Sequence, residues 1–268
     1  MASSRAGSDL ATRALAGVVA ALVALGATWL GGLAFWAMTS ILALLMMAEW
    51  AGLMHAARWK AVLGLLVLAV VLSLAGGMAA DEAAWRSPLA DPLGHIVALV
   101  GGGAVLLGLL TVSARMGWGL LYVALPTIAL VYVRDQHGVM LTLWVLAVVW
   151  ATDIGAYFAG RAIGGAKLAP RLSPNKTWAG LIGGMLAAAI VGAAIMFAAH
   201  LSMRLLPLGG VMAIVAQMGD LFESWLKRRA GVKDSGHILP GHGGALDRLD
   251  GLVPVAVVIG GLAVAGAL

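Results

Sequence analysis

TWAGLIGGMLAAAIVGAAIMFAA, residues 177–199, runs for 23 residues without a charged side chain. At about 1.5 Å of helix per residue it reaches roughly 35 Å. A hydrocarbon core about 30 Å thick needs about 20 apolar residues to cross. Runs of this character recur along the whole chain of 268 residues, of which only 11% are charged. A soluble domain carries roughly a quarter of its residues as charges, and the mean hydropathy of +1.00 is far from that class. The sequence therefore predicts an all-α, polytopic integral membrane protein.

Nine spans are expected, over residues 10–29, 32–54, 60–77, 93–111, 118–133, 137–160, 177–199, 205–222 and 249–268. The first is read as a retained span rather than a cleaved signal, because no small-residue cleavage site follows it. The 37 glycines suit close helix packing in lipid. With no cysteine, neither disulfides nor thiolate metal sites enter. The segment 78–92 reads as a polar loop, and nothing marks a repeat or a soluble domain. We expect one membrane-embedded domain over 1–268, with hydrophobic N-terminal helices to about 135 and a motif-bearing region over about 150–250.

Basic residues gather on the cytoplasmic side of membrane proteins. With the N-terminus inside, 14 of the 17 lysines and arginines fall on the inner face, and only Arg86, Arg134 and Arg204 fall outside. A wrong number of spans would scramble this asymmetry. A sequence pI near 10.0 is thus explained by the membrane, not by nucleic acid. The same map brings Glu49, Asp153, Asp220, Asp247 and Asp250 toward the inner face. The expected location is the cytoplasmic (inner) membrane of a bacterial-type cell.

Four segments carry the polar chemistry. Asp153, in TDIGAYFAGR, is a carboxylate inside a span, which marks a functional site unless it simply pairs with Arg161 or Tyr157. Glu49, in MMAEWAG, either serves function or anchors its span beside Arg58. In RLSPNKTWAG, Lys176 and Thr177 open a span whose free N–H groups suit a phosphate, though bounding lysines are the plainer reading. In GDLFESWLKRRAGVKDSG, a helix continued past the membrane would place Asp220, Glu223, Ser224, Lys227 and Arg228 on one stripe. Such a run could be a lipid-headgroup anchor, but acids interleaved with bases argue for a lined site. Arg229 lies about 100° further round than Arg228.

The stretch PGHGGALDRLD, residues 240–250, follows. Pro240 restricts the backbone, whereas Gly241, Gly243 and Gly244 permit a nest of N–H groups around an anion. Asp247 and Asp250, three residues apart, add the hard oxygens that magnesium prefers. His237 and His242 lack helical metal spacing, so zinc is not indicated, and no Walker-type phosphate loop is present.

From Ser224 to Asp250 the chain resembles the phosphatidate cytidylyltransferases, or CDP-diacylglycerol synthases. The resemblance rests on Ser224, Lys227, Arg228, Lys233, Asp234, Gly236, Leu239, Pro240, His242, Gly243, Gly244, Asp247, Arg248 and Asp250. GDLFE, SPNKT and DIGAYFAGR look like further blocks of that family, while Ala179 stands where its members often carry Glu or Gln. The resemblance implies transfer of CMP from CTP to phosphatidic acid, giving CDP-diacylglycerol and pyrophosphate. It also implies Mg2+ on Asp220 and Asp247, with K+ as an optional second ion. Implied catalytic residues are Asp220, Asp247, Lys227, Arg228, Lys233, Asp234, His242, Arg248 and Asp250. Ser173, Lys176, Thr177, Ser224, Gly243, Gly244 and Asp153 are implied at the nucleotide and its ion. The implied partners are CTP, phosphatidic acid and membrane lipid, with homodimerisation allowed. A CTP-dependent polyprenol or phytol kinase, or an ion-coupled transporter, are the competing readings.

Overall fold

A computed structural model of the chain describes residues 17–80, 92–236 and 243–268. Expectations placed on 10–16, on most of the 78–92 loop and on 237–242, which includes His237 and His242, lie outside the described residues.

Helices make up nearly all of the rest. They are α1 (Gly17–Leu30), α2 (Gly32–Leu53), α3 (Arg58–Ala80), α4 (Pro92–Thr111) and α5 (Ala114–Ile163). After two short strands, β1 (Lys167–Ala169) and β2 (Ser173–Thr177), come α6 (Trp178–Ala198), a 3-10 turn at Met203–Leu205, α7 (Leu208–Arg229), α8 (Leu246–Leu249) and α9 (Leu252–Val264). Helices α2 to α6 are each long and apolar enough to cross a membrane. Their outward faces are apolar as well: Leu33, Leu109 and Ile190 are 78%, 72% and 68% exposed. Water would penalise such faces, whereas lipid favours them.

Helix α5 contains 50 residues, about 75 Å if straight and far more than a bilayer needs. It is broken at Gly138, whose φ of 84° and ψ of 179° suit only glycine. Thr127 before the break and Asp153 after it line one cavity. Straight helix would hold them about 39 Å apart, so the chain turns back at Gly138. The two arms correspond to the separate spans expected at 118–133 and 137–160. Small residues let the second arm meet α6 closely: a side chain on Gly184 would strike the Thr152 carbonyl, and one on Gly183 would strike Ala159.

Two buried clusters hold the helices together. One joins α2, α3, α4 and the first arm of α5 through Met47, Leu68, Leu107, Met116 and Leu120. The other joins the second arm, α6, α7 and α9 through Trp144, Met196, Met212 and Ile259. Arg134 donates from Nε to the Thr28 carbonyl at 2.5 Å and from Nη2 to that of Trp29 at 3.0 Å. Arg204 donates to the Gly266 carbonyl at 3.1 Å. These two arginines thus satisfy the last carbonyls of α1 and of the C-terminal segment.

Three features differ from the sequence expectation. The strands β1 and β2, which the sequence does not foreshadow, pair antiparallel, with Lys167 opposite Thr177 and Ala169 opposite Ser173; SPNKT is extended up to Thr177, which caps α6 where a span was expected to open. Helix α7 runs on to Arg229, beyond the span expected to end at 222 and in keeping with the continued helix considered for the stripe from Asp220 to Arg228. Within the last apolar run, helix α9 starts only at Leu252, after the short α8; Pro254 has no N–H to offer the Asp250 carbonyl.

Candidate active site

The C-terminal end of α7 has two faces, and one of them carries Asp220, Glu223 and Lys227. Lys227 Nζ donates to Asp247 Oδ1 at 2.6 Å and lies 2.6 Å from Glu223 Oε2, an ion pair without hydrogen-bond alignment. Asp247 Oδ2 accepts from Ser235 N, Ser235 Oγ and Gly244 N, each at 2.9 Å. Burial pushes the Asp247 carboxyl up, but the bonds from Lys227, Gly244 and Ser235 outweigh it and hold it well below the usual carboxylate range. Glu223 is 1% exposed. Burial pushes its carboxyl up to about 8, against the opposing pull of Lys227.

Glu49 fixes this arrangement from α2. It is 4% exposed; its oxygens accept from Ala245 N and Leu246 N, each at 2.8 Å, and Ser235 Oγ, whose single proton it shares with Asp247, lies 3.0 Å away. The carboxylate therefore occupies the amino end of α8, where free N–H groups and a partial positive charge favour an anion. A Cβ on Gly236 or Gly244 would run into this carboxylate, which accounts for glycine at both positions. Among the described residues Glu49 makes no pair with Arg58; it ties the loop that carries Ser235 to the one that carries Asp247.

A second group of charges lies across α7. Lys176, at the end of β2, forms an ion pair with Asp220 and donates to Gln217 Oε1 at 3.0 Å. Ser224 Oγ is 3.5 Å from Asp220 Oδ1. Asp250 accepts from Gly251 N at 2.8 Å and is near enough to Asp220 and Asp153 for the three charges to repel. Asp153, Lys176, Gln217 and Asp220 border an open cleft of about 590 Å³. Thr177 Oγ1 also borders it, but accepts from Gly180 N at 3.0 Å as the cap of α6. Arg161 donates to Tyr157 Oη at 2.8 Å, and among the described residues it forms no ion pair with Asp153.

The structure thus brings together Lys176 with Asp220, and Lys227 with Asp247 and Gly244. Arg228, Lys233, Asp234 and Arg248 are exposed around them, and Arg248 borders an apolar cavity of about 140 Å³ together with Asp153. Gly243 takes φ 81° beside the Asp247 carboxylate. Ser173 sits in β2, and His242 lies outside the described residues. Among the site residues that sequence reasoning did not select, Glu223 was on the predicted stripe. Gln217 is one turn before it, and Ser235 lies between Asp234 and Gly236. Only folding shows which of them point inward.

The donor chemistry fits a hard divalent cation. Asp153, Asp220 and Asp250 supply carboxylate oxygens around one cationic side chain, Lys176, which is the ligand type magnesium takes. Among the described residues no three acidic or imidazole groups already converge on one point. Asp247 has every oxygen engaged, and a metal on it would require Lys227 to move.

Comparison with known proteins places this geometry in context. Residues 11–263 match the model of the cytidylyltransferase family. The chain is 42% identical over 260 residues to the phosphatidate cytidylyltransferase of Brucella suis biovar 1, covering 94% of this chain and 92% of that protein. It is equally similar to the enzyme of that name from Brucella melitensis biotype 1. Over a shorter stretch of 132 residues it is 46% identical to the phosphatidate cytidylyltransferase of Haemophilus influenzae, 45% of either chain.

Proposed function

The chain belongs to the cytidylyltransferase family, and on that premise we propose that it transfers CMP from CTP to phosphatidic acid, giving CDP-diacylglycerol and pyrophosphate. The observation that carries this reading is the family match over residues 11–263, within which every side chain of the site falls.

A phosphatidate oxygen attacks the α-phosphorus of CTP in line. A new P–O bond forms there, the bond to the β-phosphate bridge breaks, and pyrophosphate leaves with the electron pair. The nucleophile is already an anion, so no general base is needed. What the protein must supply is charge compensation, because two polyanions repel. Lys176 holds Asp220 of α7, Lys227 holds Glu223 of α7 and Asp247 of α8, and both lysines can exchange a carboxylate for phosphate oxygens. Arg228, Lys233 and Arg248, exposed beside them, extend the cationic surface around the triphosphate. Gly243 brings the backbone close with no side chain in the way, whereas the Gly244 N–H is already given to Asp247 and reaches a phosphate only if that carboxylate moves. Mg2+ on Asp220 and Asp247, with K+ as an optional neighbour, would neutralise charge on the leaving pyrophosphate. Asp153 and Asp250 lie near enough to Asp220 to add negative charge around that ion.

We further read nine spans with the N-terminus inside. Support comes from the turn at Gly138 and from Arg134 and Arg204, which close the end of the bundle opposite Glu49 and Asp247. The chain has no cysteine, so a cysteine introduced at Ser202 should label from the outer face, and one at Ser113 only when the inner face is opened. The reverse pattern would overturn the orientation.

The reaction is tested by product analysis with CTP and phosphatidic acid in mixed micelles. CDP-diacylglycerol and pyrophosphate should form, and magnesium removal should stop them. CDP and a phosphorylated lipid would identify a kinase instead. Asp220→Asn and Asp247→Asn should abolish turnover while the protein stays extractable and monodisperse; near-normal rates at saturating magnesium would remove the ion from those residues.

A further inference from the structure

The opposite face of α7 is built for a different ligand. Phe222, Trp225, Leu226, Arg229 and Ala230 recur at i, i+3, i+4, i+7 and i+8, and all five border a cavity of about 280 Å³. Its other wall comes from the inner end of α2 and the start of α5, including Trp50, Arg115 and Trp118. That volume is just under the roughly 300 Å³ at which ligand pockets begin, which suits a headgroup rather than a whole lipid.

The lining combines aromatic faces with cations and contains no carboxylate. The Arg229 guanidinium lies 5.4 Å from the centre of the Trp225 ring. Trp50 gives its indole N–H to the Arg115 carbonyl at 2.9 Å, so it offers the cavity a ring and no free donor. His55 also borders the space. Among the described residues neither Arg115 nor Arg229 has an acidic partner. Two uncompensated forks beside four aromatic rings match a phosphate ester attached to hydrocarbon: arginine binds phosphate oxygens in pairs, and indoles settle at the headgroup level.

This space is not the catalytic cleft. Glu223 and Lys227 lie about 100° and 140° round α7 from Phe222, and a wall of rings intervenes. Tyr122 packs on Phe222 at 5.4 Å and on Trp50 at 5.2 Å.

We propose that this cavity binds the headgroup of an acidic glycerophospholipid from the surrounding leaflet, at a site separate from the substrate's. The proposal rests on the membrane reading but not on the reaction assigned above.

Binding is measured without CTP, so it does not depend on turnover. Protein in zwitterionic detergent is titrated with phosphatidylglycerol bearing brominated chains, or with brominated phosphatidylcholine, and tryptophan quenching is followed. Half-quenching by the acidic lipid should need roughly thirtyfold less lipid than by the zwitterionic one, as expected for two juxtamembrane cations. The Arg115→Gln/Arg229→Gln double variant should lose most of that difference. The Arg58→Gln/Lys60→Gln double variant removes two bases outside the cavity and should keep it. Equal loss in both variants would reduce the effect to surface charge and overturn the site. Equal quenching of the wild type by both lipids would also overturn it. Displacement of the acidic lipid by millimolar inorganic phosphate would mean a free-anion site, and the lipid assignment would fall.

Discussion

Replacing Glu49 tests whether the active-site loops are held from α2. In Glu49→Ala, Ala245 N and Leu246 N lose their acceptor at 2.8 Å in a place closed to water. Each orphaned buried N–H costs about 1–3 kcal/mol, so the pair costs roughly 2–6 kcal/mol. That is a large part of an ordinary stability of about 5–15 kcal/mol. Glu49→Gln is the more informative change. Its carbonyl keeps one of the two N–H groups, while its amide turns two donors toward the other, so about one orphan's cost is expected. The loops so loosened are those that present Ser235 and Gly244 to Asp247. We therefore expect kcat/KM for CTP to fall at least roughly tenfold in Glu49→Gln, about 1.4 kcal/mol in barrier, with a smaller fall in Ser235→Ala. Thermal unfolding followed by fluorescence-detected size exclusion, together with turnover in mixed micelles, measures both effects. If Glu49 merely marks the membrane–water boundary, Gln and Ala should behave alike and near wild type. That result would refute the loop-holding role.

Other perturbations address neighbouring contacts. Gly219→Ala places a methyl against the Asp250 carbonyl and the Pro254 ring, an overpacking of about 1–3 kcal/mol that thermal unfolding should register, together with a loss of turnover as α7 and α8 move apart. Lys227→Met strands Glu223 and Asp247 as buried acids and should destabilise by about 3–5 kcal/mol, whereas Arg229→Ala, on the other face, should leave basal turnover near wild type; equal losses from the two would mean that α7 does not separate its faces. For pH, Glu223 holds its proton to about 8 when folded and releases it near 4.5 when unfolded. The folded chain then binds the extra proton, so stability should fall as pH rises through that window. Melting temperatures between pH 6 and 9 should show the slope in the wild type and a flatter one in Glu223→Gln.

Composition and periodicity were enough to specify a helical bundle in a membrane, because spanning lipid requires long uncharged runs and leaves that mark on the sequence itself. The run 177–199 needed no structure to be recognised, and neither did the stripe of Asp220, Glu223 and Lys227, since helical spacing is a local property. The polar grouping around Asp247 was legible for the same reason: charged residues are rare enough here to stand out. Partner choice was not legible. Glu49 could have met Arg58, six residues beyond the next turn of its own helix, but instead meets Ala245 and Leu246 almost 200 residues away. Lys176 and Thr177 read as a helix amino end, and Thr177 does cap α6; that Lys176 turns to Asp220 was not written in the local sequence. That Lys227 and Arg229 serve opposite sides of one helix follows from spacing, but what each side faces depends on which helices pack beside α7. Such contacts arise from segments remote in sequence, where no local pattern records which donor reaches which acceptor, and only the folded bundle decides them.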